Sequence, residues 1–321
     1  MGVLDLFKRA AGSIEGPLSR RFRRPSQAPE EDLFDEEFQR KLEYLVMVSK
    51  RVFTGAMKAE RRTKKTGAGV EFADHRDYAP GDDFRYLDFH AYQRFDRLLV
   101  RLFEEEEDLS IYFIVDTSWS MGFGDGEKLR HAKRLCAALA YVGLANLDRV
   151  SIVTANDQLS GRMEPTRSKA RIFRVFRFLN LVVADGETDL ETALKAFAAQ
   201  NKRRGLAVLI SDLYDPAGFE KGINVLRYNK FEPFVLHVTD PADAKPDLKG
   251  DLVIFDCESG EEREVTVTNK VLEKYADAYA SYLRRVERFC KSRQVAYFRA
   301  DVNVPFDELI LRVFRRGGFL R

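Results

Sequence analysis

The residues with the clearest chemical potential are Asp116, Ser118 and Ser120, which stand as D-T-S-W-S directly after the apolar run Ile111–Val115. In a tight loop alternate residues can point the same way, so one carboxylate and two hydroxyls can converge. Asp212 follows a second apolar run, LAVLI, and can bring another carboxylate to the same edge. Thr188, in D-G-E-T-D-L, begins a helical pattern and offers a further hydroxyl there. Two carboxylates about 4 Å apart repel by roughly 4 kcal/mol at an effective dielectric near 20. A divalent cation removes that cost, and an all-oxygen donor set suits Mg²⁺ or Mn²⁺ rather than zinc or copper. With few carboxylates the cation keeps much of its charge, and an open position could take a Glu or Asp from a partner. The same residue types also cap helices and form turns, and D-x-S-x-S alone leaves that alternative open.

The elements that must position these groups read as alternating strands and helices. Apolar runs at 111–115, 149–154, 206–210 and 234–238 have the length of buried strands. Between them, 129–142, 170–181, 190–199 and 219–228 carry helical spacing. Such alternation predicts an α/β fold with a doubly wound, mostly parallel sheet, which binds ligands beyond the carboxyl ends of its strands. That is where Asp116 and Asp212 fall. After Asp251 a hairpin is expected (DLVIFDCE, Ser259-Gly260, REVTVT), then a long helix near 272–293, the strand VAYFRA and a helix from Phe306.

Upstream, residues 1–34 read as a flexible, Pro-punctuated tail, with a weak polybasic tether to an acidic surface as the alternative. A helical pattern starts at Asp35 and carries Phe38, Leu42, Leu45, Val46 and Val52. Gly67 and Gly69 follow a basic stretch and break it. Short strands are expected near 70–72, 84–87 and 98–103. The expected division is thus a tail (1–34), a helix plus β accessory subdomain (35–108), the α/β domain (109–257) and a C-terminal helix-strand-helix completing it (258–321).

Composition narrows the function classes. The chain has 321 residues, with 53 Lys and Arg against 51 Asp and Glu, a net charge of +2 and 45% hydrophobic residues. This is a globular mixture, and near-neutral charge gives no global drive toward nucleic acid or anionic membrane. No apolar window is long enough to span a bilayer, and Asp5, Lys8 and Arg9 interrupt the first residues, so a cytoplasmic protein is expected. Cys136, Cys257 and Cys290 form no C-x-x-C pair, and the four histidines show no zinc spacing. His131 and Cys136 lie five residues apart and face different sides of one helix. No Walker loop is present, which argues against ATP hydrolysis. A phosphatase using D-x-D would need a second carboxylate where Ser118 stands. The stretch from Asp74 to Arg97 alternates acids and arginines and reads either as a partner-docking surface or as an internal ion-pair lattice. Glu104 to Glu107 read as a solvated strand end.

D-x-S-x-S after a strand, Thr188 at a helix start and Asp212 after another strand resemble the metal-ion-dependent adhesion site (MIDAS) of von Willebrand factor A domains. The flanking GVEFADHRDYAPGDDFRYLDF, followed by LVRLFEEEED and DTSWSM, is similar to the bacterial family called "domain of unknown function 58". Glu71, Phe72, Arg76, Tyr78, Gly81, Asp82, Asp83, Arg85 and Asp88 fill the places of its pattern, and Phe89 replaces the usual Trp. The resemblance covers about residues 35–321. It implies a von Willebrand factor A-like fold with Ser118, Ser120 and Thr188 as direct hydroxyl ligands of Mg²⁺ or Mn²⁺. Asp116 and Asp212 would bind directly or through water. It also implies a non-enzymatic, metal-dependent protein–protein interaction module. The implied partner is a MoxR-type AAA+ ATPase, with which it would act in chaperone-like assembly or activation of other proteins, and the implied client offers a Glu or Asp. The alternative is a Mg-dependent hydrolase or phosphatase on a similar sheet.

Overall fold

The structure, a computed structural model, describes residues 33–60, 62–65, 71–106, 109–123, 126–256 and 262–315. Most of the expected tail, Gly67 and Gly69, Glu107, Cys257 and the Ser259-Gly260 turn lie outside the described residues. The described chain forms two compact units. One comprises the residues up to Val48 together with those from Leu109 onward, and the other comprises residues between Ser49 and Asp108.

Helix α1 (Glu36–Glu60) starts where Asp35 Oδ1 accepts a hydrogen bond from Phe38 N at 2.7 Å. Phe38, Leu42 and Leu45 recur on one face and are buried, as is Phe34 just before the helix. Phe34 stacks on Phe176, and Phe38 meets Phe306. Sequence spacing groups this helix with residues up to 108. Its first half belongs instead to the larger unit, because its aromatic face finds its apolar partners there.

The smaller unit holds β1 (Arg62–Lys65), β2 (Glu71–Asp77), α2 (Phe89–Phe95) and β3 (Leu99–Glu106). Its antiparallel sheet runs β1-β3-β2. The strand expected at 84–87 is a single 3-10 turn, Phe84–Tyr86, and α2 follows directly. Side-chain caps override the short apolar alternation. Asp83 accepts from Arg85 N, and Asp88 Oδ1 accepts from both His90 N and Ala91 N at 3.0 Å. Within the acid–arginine alternation the chain forms its own ion pairs, Arg76–Asp82 at 2.6 Å, Arg85–Asp83 at 2.6 Å, Arg97–Asp77 at 2.9 Å and His75–Asp88 at 2.9 Å.

In the larger unit, β4 (Ser110–Asp116), α3 (Glu127–Ala145), β5 (Arg149–Ala155) and β6 (Leu159–Thr166) come first. Next are α4 (Ile172–Asn180), α5 (Leu190–Gln200), β7 (Leu206–Ser211), α6 (Phe219–Tyr228), β8 (Glu232–Thr239) and α7 (Pro241–Ala244). The chain ends with β9 (Gly250–Phe255), β10 (Glu262–Val267), α8 (Asn269–Ser292), β11 (Ala296–Asp301) and α9 (Phe306–Arg315). Strands β9 and β10 pair as a separate antiparallel ribbon.

The central six-stranded sheet has the order β11-β8-β7-β4-β5-β6. All neighbours are parallel except β5 and β6. Strand β6 was not legible in the spacing: it has few apolar residues and carries Gly161 and Pro165, which suit an edge strand. Successive residues of β4 serve opposite faces. Tyr112 and Ile114 join a core with Phe197 of α5, Ile223 of α6 and Val286 of α8. On the other face α3 packs against β4, α4 and α9. From β4 the chain proceeds to β5 on one side and later returns to β7 on the other. That reversal makes the carboxyl ends of β4 and β7 the topological switch point, the place where doubly wound sheets bind ligands.

Candidate metal centre

Asp116 is the last residue of β4, and Asp212 directly follows β7. The adjacency of these strands brings the two carboxylates to one edge, and both are fully buried. The D-T-S-W-S loop turns back over Asp116, whose Oδ1 accepts from Ser118 N at 2.9 Å and from Ser118 Oγ at 2.7 Å. Ser118 Oγ lies 3.0 Å from Ser120 Oγ, and Ser120 Oγ donates to Asp212 Oδ1 at 3.3 Å. The predicted residues Asp116, Ser118, Ser120 and Asp212 therefore form one continuous chain of contacts.

Thr188, also buried, precedes the Asp189 cap of α5. Its loop is stitched to the first one by the backbone: Trp119 N donates to Gly186 O at 3.0 Å and Asp185 N to Thr117 O at 2.7 Å. Asn156, at the end of β5, supports the same loop by donating to Asp185 O at 2.9 Å.

Several partners of the site carry little or no sequence signature. Ser211 Oγ donates to Asp116 Oδ2 and accepts from Leu213 N at 2.8 Å. Lys128, near the start of α3, is 3% exposed, and its Nζ donates to Asp212 Oδ2 at 2.8 Å and to Asp243 Oδ2 at 3.2 Å. His237 Nε2 donates to the Asp212 carbonyl at 3.1 Å, which leaves Nδ1 to accept from Tyr297 OH at 3.0 Å. Burial lowers the His237 pKa to about 4, so the ring is neutral at pH 7. The only available signal was the polar pair Ser211-Asp212 at a strand end. A lysine in the first turn of an amphipathic helix reads as solvated, and β8 reads simply as a buried strand.

The electrostatics follow from burial. Desolvation, and after it the charge of Asp212, push the Asp116 carboxyl up to about 6, against hydrogen bonds from Ser211 and Ser118. Burial alone would lower the Lys128 pKa, but Asp212 and Asp243 outweigh it and the ammonium is held charged. Among the described residues no three His, Cys, Asp or Glu side chains gather as a metal-holding group. The cluster consists instead of two carboxylates and serine hydroxyls, oxygen groups of the kind a hard cation such as Mg²⁺ or Mn²⁺ accepts. Cys136 takes no part: it is buried, and desolvation raises its thiol pKa.

A central, mostly parallel six-stranded sheet flanked by helices defines a protein of the mixed α/β class, with the Asp116–Asp212 cluster at its switch point. The chain belongs to the family described as "protein of unknown function DUF58", whose model matches residues 74–284. It is similar to an uncharacterized protein of Mycobacterium tuberculosis strain H37Rv, with 28% identity over 264 residues, 80% of this chain and 82% of the relative. A Mycobacterium avium uncharacterized protein is 34% identical over 105 residues, 32% of this chain and 61% of the relative. Among solved structures it is similar to the conserved hypothetical protein BatB from Bacteroides thetaiotaomicron. That match has 15% identity and a TM-score of 0.41 and covers 64% of this chain and 96% of that one. A second is an aerotolerance-related membrane protein from Bacteroides fragilis, with 16% identity and a TM-score of 0.39, covering 65% of this chain and 99% of that one. No helix among the described residues is long and apolar enough to cross a membrane.

Proposed function

We propose that this protein is a non-enzymatic recognition module of von Willebrand factor A type, which binds a protein partner through a divalent cation. The observation that carries the reading is the contact chain Asp116–Ser118–Ser120–Asp212 at the switch point. Ser118, Ser120 and Thr188 would hold Mg²⁺ or Mn²⁺ through hydroxyls, and Asp116 and Asp212 directly or through water. The bound ion supplies a Lewis-acidic position open to a partner's Glu or Asp. The chain's own residues do the rest. Ser211 and Ser118 orient Asp116, Tyr214 N orients Asp212 at 3.2 Å, and the backbone links between the first two loops hold the Thr188 segment in place.

The hydrolase alternative finds less support. Ser118 stands where a D-x-D phosphatase needs its second carboxylate, and Lys128, the lysine paired at the site, is committed to two aspartates. The partner class, a MoxR-type AAA+ ATPase with its client, comes from the family resemblance.

The test is a thermal-shift titration with Mg²⁺ and Mn²⁺ against EDTA for wild type and Asp116→Ala, because a ligand of the folded state raises its melting temperature. A shift in wild type that is lost in the variant is expected. Binding to an immobilised MoxR-type ATPase, in Mg²⁺ and in EDTA, then tests the partner. Equal binding by wild type, Asp116→Ala and Ser118→Ala in both buffers would overturn the mechanism.

A further inference from the structure

Lys128 is a deeply buried cation beside the site, and its ammonium is engaged by named partners. Its ammonium donates to Asp212 Oδ2 at 2.8 Å and to Asp243 Oδ2 at 3.2 Å, and it lies 4.9 Å from the centroid of the Tyr214 ring. Asp243 also accepts from Tyr214 OH at 3.1 Å, and its backbone carbonyl accepts from Tyr275 OH. The other Asp212 oxygen, Oδ1, accepts from Tyr214 N at 3.2 Å and from Ser120 Oγ at 3.3 Å. Each oxygen of this carboxylate is therefore engaged, and one of them by a full positive charge. A charge buried this completely is tolerated only when it is paired and hydrogen-bonded.

A cation that already neutralises Asp212 does part of what a divalent ion would do there. It offsets part of the negative charge that Asp212 presents to Asp116, and it ties the Asp212 loop to Asp243 in the absence of metal. It also repels a second cation brought to the same carboxylate, an effect that falls off slowly where water is excluded. We infer that Lys128 is a built-in counter-cation of the Asp212 site, a positioning residue that holds Asp212 against Asp243 without metal and lowers the site's affinity for a divalent ion. The inference rests on the metal-binding reading above and adds to it the element that sets affinity. The site is tuned to bind the ion weakly alone, so that a partner's carboxylate contributes a large share of the binding.

The experiment measures Mn²⁺ binding by the loss of the free-ion electron paramagnetic resonance signal, with melting temperatures taken in EDTA. The proteins are wild type, Asp116→Ala, Lys128→Met and the double variant Lys128→Gln/Asp243→Asn. The double variant removes one charge of each sign, so the net charge is unchanged. It also spares the fold the uncompensated Asp212–Asp243 pair that Lys128→Met creates.

The expected result is Mn²⁺ affinity in the double variant raised by about tenfold or more, with a lower melting temperature in EDTA that Mn²⁺ restores. Damage to a merely structural lysine would weaken binding rather than tighten it. Detectable Mn²⁺ binding in the double variant when wild type binds none supports the inference, provided that adding Asp116→Ala abolishes it. Wild-type binding that is lost in Asp116→Ala but is equal or weaker in the double variant overturns the inference and leaves the metal reading standing. No binding in any protein overturns both.

Discussion

Ser211 and Asp116, the last residues of two neighbouring parallel strands, are joined by a hydrogen bond from Ser211 Oγ to Asp116 Oδ2. The same hydroxyl accepts from Leu213 N, so one small side chain ties the first site loop to the third. Both residues are fully buried. Removing the hydroxyl leaves a buried carboxylate oxygen short of a partner, which costs about 1–3 kcal/mol. Ser211→Ala is therefore expected to lower the urea midpoint with little change in slope. A midpoint equal to that of wild type would show that water or another donor replaces the serine.

Much of this site is legible in the chain, for a specific reason. Apolar runs that end in Asp116 and Asp212 announce strands whose carboxyl ends carry polar groups, and the alternation of elements requires those ends to share an edge. The partners that arrive from elsewhere are not legible. Lys128 meets Asp212, and Asp243 meets Lys128, only because α3 and α7 bring them beside the end of β7, and no local pattern distinguishes them from solvated charges. In the smaller unit the expected strand at 84–87 is a turn because Asp83 and Asp88 offer caps to backbone N–H groups, which outweighs two or three alternating apolar residues. The first half of α1 is assigned to the larger unit by aromatic contacts at Phe176 and Phe306, which periodicity alone does not show.

Gly122 closes the D-T-S-W-S-M-G loop against the loop that carries Thr188. A Cβ there would lie 2.3 Å from Ala184 Cβ, far inside van der Waals contact. Gly122→Ala is expected to destabilise the protein by about 1–3 kcal/mol as the two loops part. Ala184→Gly should recover most of that loss when combined with it, since the pair then exchanges one methyl. A double variant no more stable than Gly122→Ala alone would place the strain elsewhere.

His131 lies in α3 with its Nε2 buried and without a hydrogen-bond partner. Burial, and after it the charge of Arg134, lower its pKa to about 4. The native state therefore stays unprotonated there while the unfolded chain takes up a proton near pH 6.5. The stability associated with the neutral ring is complete above about pH 6.5 and is lost as pH falls toward 4, by up to about 3 kcal/mol. His131→Leu removes this dependence. The stability of wild type relative to the variant is expected to fall between pH 6.5 and 4, and parallel curves for the two proteins over that range would refute the assignment.

Asp88 tests whether the acid–arginine stretch is held by its own ion pairs. It caps α2 through His90 N and Ala91 N, and it meets His75 at 2.9 Å and Arg101 at 3.5 Å. The Ala91 N–H first, and then His75, hold its carboxyl down at about 2. Its contribution is therefore present above the usual carboxylate range near pH 4 and is lost as pH falls toward 2. Asp88→Ala removes both cap and ion pair, whereas Asp88→Asn keeps a capping oxygen and loses only the charge. Native-state hydrogen exchange separates the two roles. Loss of protection at His90 and Ala91 is expected in the alanine variant and a smaller loss in the asparagine variant, with α5 amides of the larger unit unchanged as the internal control. If both variants keep wild-type protection, the lattice is not what orders this segment, and its charges are left for a partner to engage.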